Sequence, residues 1–332
     1  MLRYQSLGPK AGMSNSGSPV ICLGEILVDS FWAVDHEKKM SLPGGAPANV
    51  ACGLAKLGTT AEFVGAVGVD SWGQALARLL SDLQVGARGL QRHPTAPTRE
   101  VYVMTDEVGE RSFAGFSLAD PTSFADAHLI CDRIDPHLFI GKKYLVIGTL
   151  GLAYPQTRES ILQAVEWIQA QNGRVVLDVN WRPMFWENPA QAIGLVMDLL
   201  KYVSFLKLSD TEAQWLLDTT DPVAIAAQRP YLEGVMVTAG AAGCRYYLGG
   251  HSGHIAGFDV DVEDTTGAGD AFVAGFLHQL CRRGRSCLLD AECTREVVRY
   301  ASAVAALTTT RSGAIAGQPT PREVDAFLFL RK

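Results

Sequence analysis

Short apolar runs alternate with helix-patterned segments through the middle of the chain, and that alternation restricts the fold more than any other feature. Runs at 61–67, 144–148, 174–179, 203–208 and 234–238 have the length and apolar character of buried strands. Helical patterns fall among them at 71–83, 155–171 and 189–200. Repeated strand–helix units imply a mostly parallel sheet covered by helices on both faces. With 332 residues, 48% of them hydrophobic, the chain can fill one large α/β core plus a small appendage. No second large domain is needed, so residues 20–330 are read as one unit. Residues 1–19, rich in Gly, Ser and Pro, read as a flexible leader without an apolar signal core, in which Met13 is a second candidate start.

Charge and cysteine usage narrow the partners. A net charge of −6 argues against nucleic acid. No run reaches the length of a membrane span. The seven cysteines are scattered and never spaced CxxC, which predicts a reduced, cytoplasmic set acting as small core fillers. His251 and His254 have no neighbouring carboxylate or thiol, and a surface turn explains them better than a metal site.

The most chemically complete stretch is Asp264-Thr265-Thr266-Gly267-Ala268-Gly269-Asp270, running into the apolar Ala271-Phe272-Val273-Ala274. It predicts a loop feeding the first turn of a buried helix. Gly267, Ala268 and Gly269 let backbone N–H groups approach a ligand closely, at the helix end where such groups lack partners and the dipole is positive. That is an anion site suited to phosphate, with the Asp270 carboxylate beside it as a proton acceptor. Far upstream, Gly44-Gly45-Ala46-Pro47-Ala48-Asn49 opens a second helix, over 47–57. Its glycines let a substrate lie against backbone, and Asn49 offers both a donor and acceptors to hydroxyls. Residues 20–29 read as a buried strand ending in Asp29, which suits either the start of a turn or a ligand at a strand's carboxyl end. Residues 100–105 and 111–116 predict a β-hairpin with a polar turn at 106–110, which could join residues near 31–42 in a small sheet. Phe113 and Phe116 would then face either a ligand or a second subunit.

The two glycine motifs together resemble those of the ribokinase-like (pfkB) carbohydrate kinases, most similarly the fructokinases, over roughly residues 20–330. The resemblance implies a three-layer α/β/α fold with a small β-sheet lid, its segments at about 30–43 and 97–118. It implies Asp270 as general base, with the amides of Gly267, Ala268 and Gly269 as anion hole. Sugar would be met by Asp29, Gly44, Gly45 and Asn49, and by Arg99 at the lid's hinge, although Arg99 also fits an exposed strand arginine. Asp178-Val179-Asn180-Trp181-Arg182 resembles the family's DxNxR, placing Asn180 and Arg182 near sugar and phosphates. Lys207-Leu208-Ser209-Asp210-Thr211-Glu212 occupies the place of the family's NxxE, with Ser209 where asparagine is usual. There Glu212 acts on Mg²⁺ through water, and the same residues also spell a capping box. The nucleotide would lie along Lys207, Thr238, Gly240, Gly243, Thr266, Gly267 and Gly269. A monovalent cation, K⁺ in this family, would be held by Asp264, Thr266, Thr308, Arg311 and Gly313.

The expected activity is ATP-dependent phosphorylation of a sugar hydroxyl, the 6-hydroxyl of D-fructose first, in a homodimer joined through the lid. A different acceptor such as 2-keto-3-deoxygluconate, and a catalytically silent sugar- or nucleotide-binding protein, stay open as alternatives.

Overall fold

A computed structural model describes residues 19–33, 38–105 and 111–331. The expected leader, apart from Pro19, and the hairpin turn at 106–110 lie outside the described residues. The chain starts with β1 (Val20–Leu23), β2 (Leu27–Ala33) and β3 (Lys38–Gly44), followed by α1 (Ala46–Lys56). Next come β4 (Ala61–Gly68), α2 (Ser71–Asp82) and β5 (Gly86–His93), then β6 (Glu100–Thr105) and β7 (Arg111–Phe116). After short 3₁₀ turns, β8 (Tyr144–Ile147), α3 (Pro155–Ala170), β9 (Arg174–Asp178), α4 (Ala192–Leu200) and β10 (Phe205–Ser209) continue the alternation. The last part holds α5 (Asp210–Leu217), α6 (Pro222–Gln228), β11 (Gly234–Thr238), β12 (Cys244–Leu248) and β13 (His251–Ile255). Three helices close it: α7 (Ala268–Arg283), α8 (Ala291–Thr309) and α9 (Pro321–Phe329).

Among the described residues, nine strands form one sheet in the order β13-β12-β11-β10-β9-β8-β1-β4-β5. Pairing is parallel from β11 through β5, and β12 and β13 add an antiparallel edge. Helices cover both faces, so the central strands carry side chains that are buried on either side; β1, β4 and β8 are buried throughout. One apolar cluster packs α1, α7 and α8 on one face, and a second packs α3 and α4 on the other. The anticipated small sheet is present as β3-β2-β6-β7, with β2 parallel to β6 and the other pairs antiparallel.

Three expectations needed correction. Residues 20–29 are not one strand. The chain turns at Gly24 (φ +149), so β1 stays in the main sheet while β2 enters the small one. Asp29 therefore lies within β2, opposite Leu42 of β3, and not at the end of a main-sheet strand. The cysteines are not all thiols either. Cys287, in the 3₁₀ turn after α7, and Cys293, in the first turn of α8, form a disulfide with Cα atoms 5.7 Å apart. The turn between two helices makes that approach, which spacing alone does not reveal, and the bond removes the cysteine argument for a reducing compartment. Finally, His251 and His254 do belong to a hairpin-like region, the antiparallel β12–β13 pair, but to its strand β13 and not to its turn; their Nε2 atoms meet the carbonyls of Leu289 and Ala242.

Candidate active site

The anion loop folds as its glycines dictate. Gly267, the residue before α7, has φ +78, and a Cβ there would fall 2.6 Å from that of Ala314, so only glycine fits. This turn aims the first amides of a sixteen-residue helix outward. The Ala268 N–H is already bonded to the Thr265 carbonyl at 3.3 Å, which makes it the most committed of the expected donors. Behind the loop stands a cation the side chains supply. A Cβ on Gly269 would lie 2.7 Å from Lys207 Nζ, so the ammonium sits directly under the turn. Lys207 is buried at the middle of β10 and donates to both oxygens of Asp178, at 3.0 and 3.2 Å. Burial pushes the Asp178 carboxyl up to about 6, with Lys207 pulling it back.

Asp270, in the first turn of α7, is buried and accepts a hydrogen bond from Asn49 Nδ2 at 2.8 Å. Burial raises its pKa above the ordinary carboxylate value; the Asn49 bond and the charges of Lys207 and Arg182 oppose that rise. Asn49 is held from below, because Gln318 donates to its backbone carbonyl at 3.0 Å. Its buried Oδ1 has no partner among the described residues and remains an acceptor for a ligand hydroxyl.

These groups open on one cavity of about 390 Å³. Asp29, Gly45, Asn49, Asn180, Arg182, Thr266, Gly267 and Asp270 all line it, drawn from both sheets and the anion loop. Gly44 stands at its edge, pressed on the Asp29 side chain so closely that a Cβ would come 2.3 Å from Oδ2. Asn180 adopts a left-handed backbone (φ 37), which asparagine tolerates better than most residues. The Trp181 N–H is fixed 2.6 Å from Glu212 Oε1. Phe113 reaches the same cavity, whereas Phe116 packs against Phe113, Phe124 and Phe185.

One expected site residue is not brought there. Arg99 is 1% exposed, neither a surface strand arginine nor a cavity residue. It makes a two-pronged ion pair with Asp126, at 2.7 and 2.8 Å, and donates to the Pro121 carbonyl at 2.9 Å. The rings of Phe116, Phe124, Tyr154 and Phe185 surround its guanidinium with centroids 4.5–5.4 Å away. A fixed carboxylate and four aromatic faces hold it more firmly than a transient ligand would. Conversely, the sequence reading passed over Glu25, which lines the cavity and is only 4% exposed. The signal was available: a lone acid inside the apolar run from Val20 to Val28.

The residues expected around nucleotide and metals fall into two groups, one at the ends of β10 and β11 and one between the anion loop and the segment after α8. Thr238 ends β11, and Gly240 and Gly243 (φ +52 and +91) bound the turn into β12. Glu212 completes the capping box of α5, with its Oε2 accepting the Ser209 N–H at 2.7 Å. Asp264 accepts from the N–H groups of Thr266 and Gly313, both at 2.9 Å, tying the anion loop to the segment after α8. In that segment the carbonyls of Thr308, Arg311 and Gly313 crowd round Gly317, 2.8–3.0 Å from where its Cβ would stand, and the Gly313 carbonyl already accepts the Gly317 N–H at 2.8 Å. The Arg311 side chain points elsewhere, to Glu323. A recess of about 350 Å³ is bounded by Arg182, Ser209, Thr211, Glu212 and the stacked pair Trp181–Trp215.

The family model for pfkB carbohydrate kinases matches residues 21–321. A probable chloroplastic fructokinase-6 of Arabidopsis thaliana is 35% identical over 96% of this chain and 84% of its own length. Among solved structures, a fructokinase of Xylella fastidiosa with bound ATP superposes with a TM-score of 0.85 at 28% identity, covering 95% of this chain and 99% of that one. A fructokinase of Vibrio cholerae with fructose, ADP and calcium bound gives 0.83 at 32% identity, over 95% and 100%. The chain belongs to the pfkB family of carbohydrate kinases, phosphotransferases with a sugar hydroxyl as acceptor.

Proposed function

We propose that this protein transfers the γ-phosphoryl group of ATP to the 6-hydroxyl of D-fructose. The observation that carries the reading is Asp270: a buried carboxylate steadied by Asn49, on one cavity with Asp29 and with the anion turn. The attacking hydroxyl gives its proton to Asp270 as its oxygen bonds to the γ-phosphorus. The bond from that phosphorus to the β–γ bridging oxygen breaks, and ADP leaves. Positive charge for the transferring group comes from the amides of Gly267 and Gly269, from Lys207 beneath them and from Arg182. Asp29 and Asn49 Oδ1 accept sugar hydroxyls, and Phe113 and Phe185 close the apolar side. Residues 20–330 act as one kinase unit in this reading, with the small sheet as its lid.

ATP brings two cations into the proposal. Both Glu212 oxygens already accept backbone N–H groups, so it suits Mg²⁺ through water and not by direct contact. Magnesium, when bound, neutralises the β- and γ-phosphate oxygens. The carbonyl cradle at Thr308, Arg311 and Gly313, with Asp264 and Thr266 beside it, has the all-oxygen character that suits K⁺.

ADP release with Mg-ATP, measured for fructose, 2-keto-3-deoxygluconate, ribose and adenosine with and without K⁺, tests the reading. Fructose should be preferred. Preference for another acceptor would replace the substrate and keep the chemistry, and silence on all four with ATP bound would indicate a binding protein. A homodimer through the lid, where Met40 and Phe113 are exposed, belongs to this proposal; a monomeric mass by light scattering would remove it. So does cytoplasmic residence, which recovery in an organelle fraction would contradict; among the described residues no helix is long and apolar enough to cross a membrane.

A further inference from the structure

Glu25 lines the acceptor cavity, yet the reaction outlined above gives it no task. It follows Gly24, where the chain leaves the main sheet for β2. Its Oε1 accepts the Ala46 N–H at 3.0 Å, in the first turn of α1, where the N-cap Gly45 has no side chain to offer. Gly45 has φ +103, and a Cβ on it would lie 2.5 Å from the Glu25 carbonyl, so the helix end is pressed on Glu25. The carboxyl is thus clamped on one side and borders the cavity on the other.

Its electrostatic setting is acidic. Asp270 faces it from α7, Asp126 from the 3₁₀ turn Ala125–His128, and Asp29 shares the cavity from β2. Of the nearby cations, Arg99 before β6 is committed to Asp126, and Arg182 after β9 lies on the cavity wall. Tyr154, ahead of α3, also feels its charge. Burial first, then Asp126 and Asp270, push the Glu25 carboxyl up to about 8, although its own N–H and that of Ala46 favour the anion.

We propose that Glu25 is a specificity-determining donor, a carboxylic acid whose O–H gives a hydrogen bond to an oxygen of the bound sugar. It complements Asp29 and Asn49 Oδ1, which can only accept, and it spares Asp270 a second negative charge nearby. The inference rests on the sugar-kinase reading, but the state of the carboxyl does not depend on which sugar binds.

Two measurements test it. Carboxyl ¹³C NMR of the ligand-free protein, wild type against Glu25→Gln, should show one neutral glutamic acid at pH 7 that titrates near pH 8. A signal already ionised at pH 7 overturns the proposal, whatever the acceptor proves to be. With the acceptor chosen by the panel, the KM for sugar should climb as wild type passes pH 8, as the donor is lost. Glu25→Gln, neutral at every pH and still able to accept from Ala46, should lose that climb, whereas Glu25→Ala should raise KM by about tenfold throughout. An alkaline rise that persists in Glu25→Gln assigns it to another group and overturns the donor role. Failure of the whole panel, by contrast, would count against the kinase reading and leave the NMR result to decide the protonation.

Discussion

Two buried ion pairs near the candidate site differ in what their cation still has to offer. Lys207–Asp178 joins adjacent strands of the main sheet under the anion turn, with side chains 7% and 4% exposed. Arg99–Asp126 lies beneath the small sheet, 0% and 3% exposed, inside an aromatic cage. Neither amounts to a large net stabilisation, since desolvation offsets most of the attraction between buried charges. The difference is in what remains unspent. Lys207 keeps a face toward Gly269, where phosphate charge would arrive. Arg99 gives two of its nitrogens to Asp126 and the Pro121 carbonyl, and its Nη1 is buried among rings without a hydrogen-bond partner among the described residues. In the proposed reaction a buried pair takes part only if one member also faces the phosphate site.

The largest expected effect sets the scale for both. Asp270→Asn should lower kcat by about 10²–10⁴-fold while ATP still binds, because only the proton acceptor is lost. Its stability should not fall at pH 7. A carboxyl whose folded pKa is raised favours the fold in its protonated form, and that benefit is lost as pH rises through the folded value. Asparagine, which has no such proton to lose, is spared that loss. For the same reason, wild-type kcat should decline on the acid side above the ordinary carboxylate range. Turnover of Asp270→Asn within a few-fold of wild type would remove Asp270 from the base role.

The pairs themselves can then be separated. Lys207→Met should lower kcat/KM for ATP by about 10²-fold, since it deletes charge aimed at the transferring group. Its stability loss should be the milder one, because Asp178, already pushed up to about 6, takes a proton readily when left alone. Arg99→Met should do the reverse. It strands Asp126 in an apolar site, at a cost of about 3–5 kcal/mol, with kcat of the folded fraction within a few-fold of wild type. The double replacement Arg99→Met with Asp126→Leu should recover part of that stability in urea titrations. A kcat for Arg99→Met as low as that of Lys207→Met would collapse the distinction.

The sequence legibility of the two pairs differed for a physical reason. Lys207 lies at a strand position inside a recognisable motif, so the resemblance carried it to the site together with the anion turn, Asn49, Asn180 and Arg182, whereas the pairing of Lys207 with Asp178 follows only from the strand register. The alternation of apolar runs likewise read out β4, β8, β9, β10 and β11 to within a residue or two. Arg99 was misread because its partner, Asp126, sits in a 3₁₀ turn with no periodic signal, and the aromatic cage comes from four separate segments. Long-range choices of this kind depend on where chains meet. The splitting of residues 20–29 had the same origin: an apolar run interrupted only by Gly24 and Glu25 crosses from one sheet to another there, and those two residues alone do not say that the sheet changes. The Cys287–Cys293 bond, too, depends on two helices meeting at a turn.

A third pair, Arg311–Glu323, extends the comparison to the surface and should give the smallest effect. Its side chains are 46% and 37% exposed, so solvent screens it, and such pairs contribute about 0–1 kcal/mol. Glu323 also completes the capping box of α9, accepting from the Thr320 N–H at 2.7 Å. Burial works to raise its pKa, but the Thr320 bonds and Arg311 outweigh that and bring it down to about 2 from 4.5. A depressed carboxyl contributes stability that is present above the unfolded value and is lost as pH falls toward the folded one. Glu323→Gln, which can keep the cap but not the charge, should therefore lower stability by less than about 1 kcal/mol at pH 7. The difference from wild type should shrink between pH 4.5 and pH 2. Arg311 offers its carbonyl, not its guanidinium, to the proposed cation cradle, so K⁺ activation should be unchanged. Loss of K⁺ activation in Glu323→Gln would mean that this exposed pair, unlike Arg99–Asp126, helps to shape the nucleotide edge of the site.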